Sequence, residues 1–132
     1  MFPEVRHQSA QDLCARLVDP IERRGQVLVA AVLTGIAEWA RDTSSRHAID
    51  RVQFGKATVE YGLTQFMIGK MAAKLAASRA ITYAAAVAMD EDERKAGPLA
   101  AQAKLLSCDI AVSITQDAQL LHGGWGYAEE YP

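Results

Sequence analysis

Between Ile21 and Leu121 the sequence is interrupted in only two places, at DRVQFGK (residues 50–56) and at KAGPLA (95–100). Elsewhere apolar residues recur every three or four positions, which is the period of an α-helix and excludes the alternation of a strand. Leu28, Val32, Gly35 or Ile36, Trp39 and Thr43 line one face of a first helix expected over residues 21–49. Gly55 follows closely and is suited to a left-handed cap. Leu63, Phe66, Met67, Lys70, Met71, Lys74, Leu75, Ser78, Ile81 and Ala85 define a second helix over about 58–92, its apolar members forming the buried stripe. Pro98 stands at a good first-turn position for a third helix. That helix carries Leu99, Ala103, Leu106, Ile110 and Ile114 on one side and runs to about Leu121. Alanine is abundant and proline rare, which agrees with helix throughout.

Before Pro20 one short helix is expected in SAQDLCARLV, with Ser9 as its cap and Asp12 three residues later, and Pro20 is expected to break or restart the chain. Residues 1–20 therefore read as an N-terminal segment and 21–132 as a helical unit. Short connections between long helices make neighbours antiparallel. The expected fold is all-α: an up-and-down bundle of three long antiparallel helices plus a short N-terminal helix. Three such helices leave an apolar face uncovered, so self-association into a dimer or higher oligomer is expected.

A chain of 132 residues with half its residues hydrophobic and 23% charged suffices for one hydrophobic core. The net charge of −2 gives no electrostatic reason to expect nucleic acid or an anionic membrane as a partner. The longest apolar-rich run, VLVAAVLTGIAEWA, contains a glutamate and is too short to span a bilayer. MFPEVRHQ shows no secretory signal pattern, and the two distant cysteines, Cys14 and Cys108, read as buried reduced thiols; both fit a cytoplasmic setting. The three histidines are scattered along the chain, so no metal site is expected.

DRVQFGK holds more than a helix–helix turn requires, since the glycine alone would serve. At the other end, HGGWGYAEEYP places three glycines in four residues, which stops a helix and frees backbone amides. With QFMIGKMAAKLAASRAITYAAA and AAQAKLLSCDIA between them, these stretches resemble, in order and spacing, the C-terminal helical domain of the acyl-CoA dehydrogenases from about Arg24 to Pro132. The resemblance implies an FAD-linked oxidoreductase domain acting on CH–CH groups of acyl-CoA thioesters, with FAD shared between subunits. It implies that Arg51 meets the FAD pyrophosphate, that Gln53 and Phe54 add polar and apolar contacts, and that Gly123 and Gly124 let the nucleotide approach their backbone. Leu120 stands where the family has a glutamine before the diglycine, and His122 offers a new polar contact there. Arginine suits this role because its planar fork gives two charge-assisted hydrogen bonds to phosphate oxygens.

The same resemblance implies what is missing. In most members the catalytic glutamate lies beyond the Glu-Tyr-Pro stretch, and in a minority it matches Gly25; no catalytic residue is assigned, Glu22 being one turn early. Gly62 replaces a second family glutamine. Gln119 is displaced by one position, about 100° around the helix. The family's N-terminal helical domain, β-domain and fourth bundle helix have no counterpart here. The isolated chain is therefore expected to be inactive, with acyl-CoA handled only in a complete assembly. The alternative is a noncatalytic subunit or interface module of a heteromeric dehydrogenase. The expected partners are a second copy of the chain or a dehydrogenase chain.

Overall fold

The computed structural model describes the backbone of residues 5–93 and 95–129, and the side chains of residues 20–93 and 95–129. Helix α1 spans Val5–Asp50, α2 spans Gly62–Asp92 and α3 spans Gly97–His122. A two-stranded antiparallel hairpin, β1 (Val52–Gln53) and β2 (Lys56–Ala57), and a 3₁₀ turn (Thr58–Glu60) join α1 to α2. A second 3₁₀ segment, Gly123–Tyr127, follows α3.

The N-terminal segment is helical, as expected, but it joins α1 instead of standing apart. Pro20 lies inside a 46-residue helix about 70 Å long, and Ser9 lies within that helix instead of capping one. A proline removes one donor from the ladder, and here the helix continues on both sides of it. Cys14 lies outside the described side chains, and Cys108 is a half-buried free thiol.

Residue pairings fix the directions of the helices. Ala30 of α1 packs with Ala85 of α2 and Ala103 of α3, while Ala37 and Ala40 pack with Met71, Leu75, Ile110, Ala111 and Ile114. Position numbers fall along α2 as they rise along α1 and α3, so the order is up–down–up, with α1 and α3 parallel. The core is a seam of small residues with a few large ones. Thr34 Oγ1 lies 2.7 Å from Ser78 Oγ, which donates to Ser107 Oγ at 3.0 Å, and Thr82 Oγ1 stands 3.3 Å from the same Ser107 oxygen. This buried chain of hydroxyls crosses all three helices, each finding a partner. Lower in the bundle the Lys70 ammonium meets both Asp117 oxygens, at 3.0 and 2.8 Å, and Lys74 donates to Ser113.

The buried stripe of α1 differs from the expected one. Ala30, Thr34, Ala37, Ala40, Ser44 and Ala48 face the other helices, whereas Leu28, Val32, Ile36 and Trp39 are 67, 63, 46 and 49% exposed. Small side chains let the helix backbones approach, and the bulky stripe is left outside. On α2 the seam runs through Met71, Leu75, Ser78, Thr82 and Ala85, with Leu63 and Phe66 exposed at its first turns. On α3, Ala103, Ile110 and Ile114 are buried as expected, and Leu106 is exposed. Among the described residues no helix is long and apolar enough to cross a membrane.

Candidate functional site

The corner after α1, where the sequence holds more than a turn requires, is a hairpin. Val52 pairs with Ala57 and Gln53 with Lys56, leaving Phe54 and Gly55 as a two-residue loop. Their φ values of 51° and 83° are both left-handed, as a type I′ turn requires. Gly55 is left-handed as expected, but in a hairpin loop and not in a helix cap. Phe54 adopts this conformation as a non-glycine residue, with its ring 97% exposed.

The root of the hairpin is clamped to the end of α1. Arg51 N–H donates to His47 O at 2.9 Å, Thr58 N–H donates to Arg51 O at 2.8 Å, and the Thr58 hydroxyl donates to Ala48 O at 2.9 Å. Tyr61 OH donates to Gln53 O at 2.8 Å, and Lys56 sits 4.3 Å over the Tyr61 ring. The backbone carrying Arg51 and Gln53 is thus fixed from several directions, while both side chains remain exposed.

The second wall comes from the end of α3. Gly123 has φ 63° and ψ −135°, a conformation open to glycine, and its N–H donates to Leu120 O. The three glycines therefore do not simply release amides, because Gly123–Tyr127 winds into a 3₁₀ segment. Gln119 Nε2 donates to Gly126 O at 3.2 Å and ties this segment back onto α3. That bond engages the Gln119 amide with the segment that follows the helix.

Because α1 and α3 are parallel, their C-terminal ends meet. Arg51, Gln53, Leu120, His122, Gly123 and Gly124 border one open cleft of about 600 Å³. Phe54 lies apart from that cleft, at the edge of a neighbouring groove of about 420 Å³ which Gln53 and Leu120 also border. An added Cβ at Gly123 or Gly124 would meet nothing within 4 Å, so the backbone there borders open space.

Sequence reasoning missed His47, Thr58 and Trp125, which also border the cleft. The signal for His47 was its position one helical turn before Arg51. Its ring stacks on His122, with centroids 4.4 Å apart and planes 29° from parallel. His122 Nδ1 lies 2.9 Å from Ala118 O; a carbonyl can only accept, so this nitrogen carries the hydrogen. Burial pushes His47 below its ordinary value, and the nearby His122 and Arg51 push in the same direction against an opposing Asp50.

Between the depressed folded value and the ordinary 6.5, the unfolded chain binds more protons at His47 than the folded chain. Stability should therefore fall as pH drops through that window. Urea midpoints measured at neutral and mildly acidic pH should show this loss, and His47→Gln should reduce it.

Among the described residues no group of three His, Cys, Asp or Glu side chains is placed to hold a metal ion. Glu22 accepts from Gln26 on the exposed side of α1, and an added Cβ at Gly25 would meet nothing within 4 Å.

Three helices in up–down–up order, with an arginine-bearing hairpin and a diglycine turn meeting at one end, define a distinct class of all-α domain. The family profile described as "Acyl-CoA dehydrogenase, C-terminal domain" matches residues 23–132. The chain belongs to the acyl-CoA dehydrogenase family. It is 41% identical over 105 residues to cyclohex-1-ene-1-carbonyl-CoA dehydrogenase of Geobacter metallireducens, covering 80% of this chain and 28% of that protein. Butyryl-CoA dehydrogenase from Megasphaera elsdenii superposes with a TM-score of 0.80 at 34% identity, over 83% of this chain and 28% of the other. A glutaryl-coenzyme A dehydrogenase in complex with glutaryl-CoA gives 0.85 at 31% identity, over 89% and 30%. The chain thus spans less than a third of the length of these relatives.

Proposed function

We propose that this domain docks the diphosphate part of FAD in the cleft between the hairpin and the diglycine turn, as one contributor to an acyl-CoA dehydrogenase assembly. The convergence of Arg51 with Gly123 and Gly124 carries this reading. One guanidinium, two imidazoles and bare glycine backbone around an open cleft suit an anion with two phosphates. Arg51 would hold the phosphates, with Gln53 and His122 beside them, and Phe54 and Leu120 would offer apolar surface at the neighbouring groove. FAD supplies the two-electron acceptor in α,β-dehydrogenation of acyl-CoA, and this chain's residues supply binding. The described side chains include no carboxylate at Gly25, where some family members carry their base, so the isolated chain should not dehydrogenate acyl-CoA.

A test is to titrate the purified chain with FAD and follow the flavin spectrum. Arg51→Ala should weaken binding about 10- to 100-fold, the worth of a hydrogen bond to a charged group, and Arg51→Lys should restore only part of it. Equal affinity in wild type and Arg51→Ala would overturn the reading.

Gly25, Gly62 and Leu120 favour a second reading, in which the chain is a noncatalytic subunit shaping the flavin site of a dehydrogenase partner or of another copy of itself. The exposed stripe from Leu28 to Trp39 supports association in either case. Co-purification with a dehydrogenase chain, together with no acyl-CoA-dependent dye reduction by the domain alone, would support this second reading.

A further inference from the structure

We propose that the stacked His47–His122 pair takes up a proton when a phosphate-bearing ligand enters the cleft beside Arg51, so that binding is proton-linked and tightens as pH falls. The inference rests on the diphosphate reading given above and adds a regulation to the same site.

The argument starts from charge. Among the described residues, the titratable or charged ones bordering the cleft are His47 and Arg51 from α1 and His122 from the end of α3. Asp50, also from α1, acts on His47 from nearby. The hairpin, the 3₁₀ segments and the residue after them contribute Gln53, Thr58, Gly123, Gly124, Trp125 and Ala128 to the lining, none of them titratable near neutrality. Without a ligand, a proton on His47 would face a fixed guanidinium and a second imidazole stacked at 4.4 Å. Half-burial adds to that cost, and His47 is accordingly depressed.

An incoming diphosphate reverses the balance. Its two negative charges would share the cleft with both rings, so they favour the imidazolium that burial, His122 and Arg51 disfavour. By linkage, whatever raises the proton affinity of the pair is itself bound more tightly when the proton is present. Stacking confines the response to about one proton, because two imidazolium rings face to face repel.

The test uses the full chain with FAD, followed by calorimetry and by the histidine ring signals in NMR. From about pH 8 to pH 5.5 the affinity should rise about three- to tenfold, one proton's linkage giving at most tenfold per pH unit. FAD keeps a constant charge across this range, so any slope belongs to the protein. His47 should titrate below the ordinary value in the free chain and move upward on saturation with FAD. His47→Gln should flatten the slope. The wild-type NMR titration decides the matter even if that variant folds poorly. FAD binding with no pH slope and no shift of His47 overturns the proton linkage and leaves the diphosphate reading standing. Absence of FAD binding at every pH overturns both.

Discussion

Lys70→Met is expected to destabilise the domain by about 2–3 kcal/mol, because it leaves the Asp117 carboxylate in the bundle without its cation. The two partners are not equivalent. Asp117 is 12% exposed and Lys70 is 37% exposed. Removing the lysine strands a carboxylate that has no easy route to water. Removing the aspartate leaves an ammonium on a long stem that can turn outward. Asp117→Leu alone should therefore cost less than Lys70→Met, and the double variant should recover much of the loss. Urea unfolding of the two single variants and the double variant gives the coupling directly. Equal costs for the two single changes would contradict the asymmetry drawn from their burial.

Gly126→Ala is the second large effect. The added Cβ would stand 2.6 Å from Gln119 O and 3.0 Å from Gln119 Cγ. The first contact is with backbone of α3, which cannot swing aside, so the 3₁₀ segment must move and strain the Gln119–Gly126 hydrogen bond. A loss of about 1–3 kcal/mol is expected, as for other overpacked positions. FAD affinity should fall with it, since Gly123 and Gly124 belong to the same segment. Gly124→Ala is the matched control. Its Cβ would meet nothing within 4 Å and its φ is not left-handed, so its stability should stay within about 0.5 kcal/mol of wild type. If both alanines were equally benign in urea, the close packing at Gly126 would be refuted.

Much of this was legible in the sequence, for reasons that differ between elements. Helical recurrence around Met71, Leu75 and Ile110 marked the core of α2 and α3 because those positions combine the right period with the right size. The meeting of Arg51 with the diglycine was legible only through ordered motifs, since no local pattern joins residues more than seventy positions apart. The seam of α1 was misjudged because hydropathy rewards bulk. The helices meet through Ala37, Ala40 and Ser44, whose value lies in closeness of approach, while Leu28 and Trp39 remain outside. The hairpin escaped notice because two-residue strands carry no alternation, and the left-handed φ of Phe54 is set by the ladder on either side of it. His47 was passed over as a lone histidine, and only the parallel run of α1 and α3 brings it onto His122.

The small-residue seam of α1 has a further consequence, which concerns what the chain gives up in closing it. Alanine has no rotamers to lose, and serine and threonine have few, so ordering these side chains surrenders little conformational entropy. Heating magnifies every such loss, and along Ala30, Ala37, Ala40 and Ala48 there is almost none to magnify. The thermal penalty at this seam falls mostly on the backbone.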